Sequence, residues 1–367
     1  MKRLVIILLF AIALGIVSLS AYCYFQNRHP YESTSESVTV PFYAGRFGYA
    51  SNKALFRGWV NGRAGLFQID TGSSATLDLA PSFAESSGVK ITSQGSSYWF
   101  GKKIDNKFGK LDNLALGEKE KFLELDPEHL VRIPNNDFMH DDELIQGLLG
   151  NGILVPHKAR IDFESGKISF YYTGKGVSEK TNETQSSVIN SKNKICVPFV
   201  RSRFGIPYIH IKIGDAEGVF LVDVGAMRTL LSPEFLKRSG LSQSRKFSAC
   251  ITFNGNKENK EFIEIPEVKF GSSEGISSPF LFGVFNLNAV NESFVSGGVP
   301  CVDGIIGCDF LIKHKAYIDY GSSTVTFSKA GRSSIESFFM NVRHVLDQVI
   351  IVMTIIIEND NDKPQEK

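Results

Sequence analysis

The sequence has 367 residues, with 40 basic and 39 acidic side chains and a formal net charge of +1. Hydrophobic residues make up 43% of it and aromatic residues 11%, which is typical of globular proteins with a substantial core. The length allows two or three domains, and the balanced charge without a basic stripe argues against nucleic acid as a partner.

The N-terminal segment, residues 1–25, combines a basic start with a long apolar run. Lys2 and Arg3 precede the run, which extends from Leu4 to about Tyr24. About 20 apolar residues suffice to cross a bilayer as a helix, and basic residues ahead of them favour a cytoplasmic N-terminus. The segment therefore predicts either a transmembrane signal anchor or a cleaved signal peptide. Either way the remainder lies outside the cytoplasm, as a membrane-anchored or as a secreted or periplasmic protein. The polar residues 26–37 predict a spacer.

The first half of the sequence returns in the second half. Five blocks recur in the same order, each about 155 residues further on. Their first copies are Val40–Phe42, Phe67–Gly72, Pro81–Gly88, Gly147–Gly150 and Ile161–Phe170. The repeat predicts two homologous lobes, residues 38–172 and 195–330, with a polar linker over 173–194. The tail, 331–367, predicts a helix that packs on a lobe or lies on a membrane surface.

Within each lobe most segments have the composition of β-strands. Asn61-Gly62 separates two apolar runs and predicts a tight hairpin, and Ser165-Gly166 predicts another. Short helices are expected at Pro81–Ser87 and Pro233–Ser239, because proline favours the first helical position and a glycine follows each segment. The predicted fold class is all-β, with each lobe a closed or nearly closed barrel and a short helix after each Asp turn.

The cysteines and histidines predict no metal site. Cys23 lies in the N-terminal segment, residues 1–25, which is called the leader below. The other four cysteines lie in the second half: Cys196, Cys250, Cys301 and Cys308. Their pairing as two disulfides or their presence as free thiols both remain open, but the first half must fold without bridges. No Cys or His pair has the spacing of a metal-ligand set. His157 and His314 occupy equivalent loops and are interpreted as surface or structural residues.

Each lobe carries an apolar strand that ends in an aspartate. Asp70 begins the turn Asp70-Thr71-Gly72-Ser73, and Asp223 begins the turn Asp223-Val224-Gly225-Ala226. A carboxylate at the end of a buried strand is costly unless it is hydrogen-bonded or paired. The glycines permit tight turns and a close approach of two such loops. We therefore expect each aspartate to be the other's partner.

These motifs resemble the aspartic proteases of the pepsin and retropepsin type. Asp70–Ser74 matches the active-site motif of that family, and Leu148–Gly150 and Ile305–Gly307 match its later apolar-apolar-Gly element. The resemblance covers roughly residues 38–330. It looks like two fused retropepsin-like domains on one chain, because the tyrosine-glycine flap sequence typical of pepsins is missing.

The resemblance implies a bilobal, aspartic-protease-like double β-barrel with Asp70 and Asp223 as a catalytic dyad. It also implies a peptide or protein substrate, no cofactor and no metal, and a site for which one chain is sufficient. Two neighbouring carboxylates cannot both ionise readily, so the pair holds one proton. The ionised member takes a proton from water, and the protonated member donates to the scissile carbonyl.

Val224 departs from the family pattern, which places Thr or Ser after the aspartate. Thr71 can offer a hydrogen bond across to the opposite loop, whereas Val224 cannot return one. A lost bond of this kind costs about 1–3 kcal/mol where a partner is left unsatisfied. Two hypotheses follow: an active aspartic endopeptidase, or a catalytically inactive relative that binds peptides or partner proteins in the cleft between the lobes.

Two aromatic residues are candidates for a flap over the cleft. Tyr98 and Trp99 follow Asp70 at the distances at which Ile251 and Thr252 follow Asp223. They either close over a bound peptide and exclude water, or are ordinary aromatic residues of a strand. Asp162 and Asp319 also recur, but they precede hairpin turns and are interpreted as turn or surface residues.

Overall fold

The computed structural model describes residues 37–47, 51–99, 102–117, 130–135, 145–171, 189–190, 193–242, 244–253, 256–271, 275–295 and 300–331. The predicted leader and the tail after residue 331 lie outside this part, as do most of the spacer and of the linker. The predictions for these segments and for the domain boundaries stay predictions. Across the described ranges, no helix is both long and apolar enough to cross a bilayer.

The described residues are mostly β-strands with a few short helices, so the prediction of a mainly β fold is confirmed. The strands before residue 172 are β1 (Ser37–Pro41), β2 (Tyr43–Phe47), β3 (Ser51–Val60), β4 (Arg63–Ile69), β5 (Leu77–Leu79), β6 (Lys90–Trp99), β7 (Lys102–Lys110), β8 (Leu114–Leu116), β9 (Leu130–Pro134), β10 (Ile145–Leu149), β11 (Arg160–Asp162) and β12 (Lys167–Tyr171). The helices before residue 172 are α1 (Pro81–Ser86) and α2 (Asn151–Leu154).

The second half repeats this pattern of many strands and short helices. Its strands are β13 (Ile189–Asn190), β14 (Lys194–Pro198), β15 (Val200–Arg201), β16 (Pro207–Ile213), β17 (Ala216–Val222), β18 (Leu230–Leu231), β19 (Lys246–Phe253), β20 (Asn256–Ile265), β21 (Val268–Phe270), β22 (Gly275–Ile276), β23 (Phe280–Val284), β24 (Gly304–Ile306), β25 (Tyr317–Asp319) and β26 (Thr324–Ser328). Its helices are α3 (Pro233–Arg238), α4 (Asn288–Val295) and α5 (Cys308–Lys313).

In the described part of the chain, one sheet contains strands from both halves. It has seven strands in the order β1-β12-β11-β25-β26-β14-β13. The halves meet where β11 and β25 pair antiparallel, with Ile161 opposite Ile318. These two residues are equivalent positions of the repeat. An antiparallel pair centred on equivalent residues has a local twofold axis, so the repeat in the sequence becomes an approximate symmetry of the sheet.

The two other sheets each belong to one half of the chain. The first has nine strands, β2 to β10, and the second has ten strands, β15 to β24. In the first, β4 lies between antiparallel β3 and parallel β10. In the second, β17 lies between antiparallel β16 and parallel β24. Each strand that leads to an aspartate is therefore flanked on one side by the strand of the apolar-apolar-Gly element.

Local signals in the sequence set several of these elements. Asn61 and Gly62 both have positive φ, 50° and 82°, and join β3 to β4 in the two-residue turn that an Asn-Gly pair favours. Helices α1 and α3 both begin at the predicted prolines. Phe83 of α1 is buried and packs edge-on against Phe67 of β4, and Phe235 of α3 does the same against Phe220 of β17. Each helix thus fixes the strand that carries the aspartate.

Candidate active site

The ends of β4 and β17 bring Asp70 and Asp223 face to face. The Asp70 N–H donates to Leu149 O at 2.9 Å, and the Asp223 N–H donates to Ile306 O at 3.0 Å. Both aspartates are thus fixed by the same backbone bond to the neighbouring parallel strand. The two carboxyl groups meet beside Gly225, where an added Cβ atom would collide with Asp70 Oδ1 and lie 3.1 Å from Asp223 Oδ1. That each carboxylate has the other as its partner stays a prediction, which their proximity supports.

Glycine is required beside both carboxylates. A Cβ atom added at Gly72 would lie 2.6 Å from Asp223 Oδ2, and one added at Gly225 would collide with Asp70 Oδ1. Each glycine therefore borders the carboxylate of the opposite loop. The Asp70 Oδ1 atom accepts from the N–H groups of Gly72 at 2.9 Å and Ser73 at 3.1 Å, and Asp223 Oδ1 accepts from Gly225 at 2.8 Å.

Burial and mutual repulsion favour a protonated carboxyl in this pair. Burial raises the pKa of Asp70 well above its usual value, and the charges of Asp223 and Asp78 raise it further. Burial also raises the pKa of Asp223, whereas the N–H groups of Gly225 and Ala226 lower it. Both aspartates nevertheless keep part of their surface exposed, so water can reach them. The arrangement can hold one proton between two oxygen atoms beside a solvent molecule.

Thr71 joins the two loops through its hydroxyl. The side chain is fully buried; its Oγ1 donates to Val222 O at 2.7 Å and accepts from the Val224 N–H at 2.9 Å. Val224 is equally buried but has no hydroxyl. The reciprocal bonds, to Ile69 O and from the Thr71 N–H, therefore cannot form. The asymmetry expected from the sequence is present in the site.

Gln68 was not among the residues predicted from the sequence. It stands two positions before Asp70, and its Nε2 donates to Gly225 O in the opposite loop at 3.0 Å. A polar residue inside an otherwise apolar strand was the available signal, since Phe67 and Ile69 on either side are fully buried.

Asn151 and Tyr320 form a second network that the sequence did not reveal. Asn151 Nδ2 donates to Thr71 O at 2.7 Å and to Ser73 O at 2.8 Å, so it holds the backbone of the first loop. The Tyr320 hydroxyl, from the second half, donates to Asn151 Oδ1 at 2.7 Å. Burial raises the pKa of Tyr320 well above its usual value, and the charges of Asp223 and Asp70 add to this, so it remains a neutral donor.

An ion pair lies behind the first loop. Ser73 Oγ donates to Asp78 Oδ2 at 3.1 Å, and Arg132 binds both oxygen atoms of Asp78, through Nη2 at 2.7 Å and through Nε. Asp78 is only 2% exposed. The bidentate geometry explains how a carboxylate can be kept in this position. The second half has Leu230 at the position equivalent to Asp78, since Asp78 lies opposite Leu148 and Leu230 lies opposite Ile305.

The flap candidates lie at the edge of the described structure. Tyr98 and Trp99 end β6, and their backbones pair with Lys103 and Lys102 of β7. Their side chains lie outside the described residues, so the flap role stays a prediction.

Ala226, the last predicted loop residue, accepts a hydrogen bond from the Cys308 N–H through its carbonyl at 2.7 Å.

The remaining polar candidates have structural positions. His157 and His314 are buried, and each Nδ1 contacts a backbone carbonyl. Burial lowers the pKa of His314 to about 4, so it is neutral. Asp162 and Asp319 accept N–H bonds from their own turns, and Asp319 is buried and paired with Arg160.

Cysteines with described side chains form no disulfide: Cys196, Cys301 and Cys308 are free thiols. The side chain of Cys250 lies outside the described residues. Among the residues that the structure describes, no cluster of three or more His, Cys, Asp or Glu side chains could hold a metal ion.

Comparisons with known proteins find a family model that matches part of the second half of the chain. Residues 209–310, which include Asp223 and Ile305–Gly307, match the family model described as aspartyl protease. The resemblance inferred from the motifs is thereby confirmed, although the two-lobe arrangement stays a prediction. Among solved structures, the chain is similar to the aspartic proteinase from Irpex lacteus, with 13% identity, a TM-score of 0.44, and 82% of this chain and 99% of that chain covered. No curated protein matches the chain.

Proposed function

We propose, because residues 209–310 match the aspartyl protease family model, that the protein is an aspartic endopeptidase with Asp70 and Asp223 as its catalytic pair. The observation that supports this best is the geometry of the two carboxyl groups. They lie beside each other, they are partly open to solvent, and each is bordered by the glycine of the opposite loop.

In the proposed reaction the pair carries one proton and holds the attacking water. The ionised carboxylate takes a proton from the water, whose oxygen bonds to the scissile carbonyl carbon while the protonated carboxyl donates to the carbonyl oxygen. Collapse of the resulting tetrahedral species returns a proton to the amide nitrogen and breaks the C–N bond. We assign Asp70 and Asp223 jointly to these roles. Because burial raises both pKa values, the singly protonated pair persists at higher pH than isolated aspartates would allow.

The substrate we propose is an extended peptide or a protein segment bound between the two Asp loops. Tyr98 and Trp99 would close over it from the β6–β7 hairpin. One chain supplies both aspartates, so a monomer would be sufficient. The leader, residues 1–25, would direct the catalytic part out of the cytoplasm, either as a membrane anchor or as a cleaved signal.

The alternative function is peptide or partner binding without catalysis. Val224 favours it, because the missing hydroxyl removes one of the two symmetric ties between the loops. Both aspartates and the tie from Thr71 are nevertheless retained, which favours the endopeptidase.

The decisive experiment is cleavage of a denatured protein by the full chain between about pH 3 and 7, the range in which a buried carboxyl pair changes protonation. We expect Asp70→Asn and Asp223→Asn each to abolish cleavage. Asp112→Asn, which removes an exposed carboxylate of the same half, should leave it unchanged. Cleavage that persists in Asp70→Asn would refute the proposal. If the unaltered chain binds peptides but cleaves none at any pH, the alternative is favoured.

A further inference from the structure

The strands that lead to the two aspartates differ at one buried position. Gln68 of β4 lies opposite Leu148 of β10, and Leu221 of β17 lies opposite Ile305 of β24. The registers make Gln68 and Leu221 equivalent. Leu221 is 1% exposed and packs in an apolar cluster with Ile305. The first half thus has an amide where the second half has an ordinary core residue.

A buried amide requires hydrogen-bond partners. Gln68 is 6% exposed, and an amide in such surroundings costs free energy unless it is bonded. Its Nε2 donates to Gly225 O across the boundary between the two halves, at 3.0 Å. The bond therefore joins the strand of the first aspartate to the loop of the second.

The Gly225 carbonyl belongs to a peptide unit that also contacts Asp223. In a trans peptide the C=O of one residue and the N–H of the next point in opposite directions. The N–H of Ala226, on the far side of this unit, faces the Asp223 carboxylate and lowers its pKa. A donor that holds the Gly225 oxygen in place thus also aims the Ala226 N–H at Asp223.

We propose that Gln68 is a positioning residue that ties the two Asp loops together and replaces the tie that Val224 cannot make. Thr71 supplies one side of the link between the loops, through its bonds to Val222 O and the Val224 N–H. The symmetric bonds are missing because valine has no hydroxyl. The Gln68 bond runs in the same direction as those of Thr71, from a side chain of the first half to the backbone of the loop that contains Val224, and so adds a second tie where the reciprocal one is missing. This inference rests on the proposed function only for its effect on cleavage.

The test is a double-mutant cycle in the full chain with Gln68→Leu, Val224→Thr and both together. Gln68→Leu copies the second half, and Val224→Thr supplies the missing hydroxyl, which can donate to Ile69 O. We expect Gln68→Leu to lower kcat about tenfold with little change in KM, the size expected for one charge-orienting hydrogen bond. Val224→Thr should restore most of this loss in the Gln68→Leu background, and have a much smaller effect in the unaltered chain.

A pH profile separates positioning from general loosening. Asp223 loses the aim of the Ala226 N–H when Gln68 is replaced, so the acidic limb of kcat should move upward by about half a pH unit. Among the described residues, the titratable groups that interact electrostatically with Asp223 are Asp70, Cys308 and Tyr320. The substitution of Gln68 leaves all three in place.

Gln146→Leu is the matched control. Gln146 lies in β10 and accepts one hydrogen bond, from the Leu66 N–H within its own half, at 2.7 Å. Its loss should shift neither the pH profile nor the effect of Val224→Thr. If Gln68→Leu leaves kcat and the pH profile unchanged, or if Val224→Thr acts equally in both backgrounds, Gln68 does not have this role.

The cycle can also be read without cleavage, in the midpoint of urea unfolding. Val224→Thr should raise the midpoint more in Gln68→Leu than in the unaltered chain. An inactive chain with this coupling would refute the proposed function and support the role of Gln68. An active chain without the coupling would do the reverse.

Discussion

Replacing Thr71 by valine should destabilise the protein strongly, because it makes the first loop a copy of the second. Valine fills nearly the same volume but has no hydroxyl. Thr71 Oγ1 now donates to Val222 O at 2.7 Å and accepts from the Val224 N–H at 2.9 Å, and all of these groups are buried. The substitution leaves one carbonyl and one N–H without a partner.

The magnitude follows from the cost of an unsatisfied buried polar group, about 1–3 kcal/mol. Two such groups predict a loss of about 2–6 kcal/mol in the free energy of unfolding. Thr71→Ser is the control, since it keeps the hydroxyl and removes one methyl group, at a cost of about 1 kcal/mol. Urea unfolding followed by far-ultraviolet circular dichroism measures both variants against the unaltered chain.

A Thr71→Val variant as stable as Thr71→Ser within about 0.5 kcal/mol, the usual scatter of neutral substitutions, would contradict this expectation. Such a result would mean that the two loops adjust to restore their hydrogen bonds elsewhere, and that the Thr71 hydroxyl does not hold them together.

Two further predictions concern buried charges. Arg132→Met leaves Asp78 buried without its cation and should cost about 3–5 kcal/mol in urea unfolding. The double variant Asp78→Leu with Arg132→Met, which removes both charges as the second half does at Leu230 and Gly283, should recover most of the loss, and equal instability of both variants would contradict this. Burial raises the pKa of Asp309 from 3.8 to about 6, so its contribution to stability is complete below pH 3.8 and is lost as the pH rises through 6. The free energy of unfolding of Asp309→Asn, relative to that of the unaltered chain, should therefore rise by roughly 2 kcal/mol between pH 4 and 7. Parallel curves of unfolding free energy against pH for the two proteins would show that this carboxyl is not buried.

The repeat and the local motifs were readable in the sequence because they depend on neighbouring residues. Asn61-Gly62 predicted its hairpin through the positive φ angles that these residues tolerate, and Pro81 and Pro233 predicted where the two helices begin. The pairing of Asp70 with Asp223 stays a prediction, which rests on the need of a duplicated strand-and-turn that ends in a carboxylate for a partner.

The polar contacts that hold the site in place could not be predicted from the sequence in this way. Gln68 contacts Gly225, Tyr320 contacts Asn151, and Arg132 contacts Asp78 across separations of 157, 169 and 54 residues. Neither periodicity nor turn chemistry specifies which distant polar groups meet, because that depends on how the sheets pack.

The sequence by itself thus determined that two equivalent strands each deliver an aspartate into a glycine turn, since strand, turn and helix preferences act over a few neighbouring residues. Only the tertiary structure decided how the two turns are held against each other. The asymmetry between Thr71 and Val224 was visible in the sequence, but the bond from Gln68 that accompanies it arises where the two halves of the chain meet.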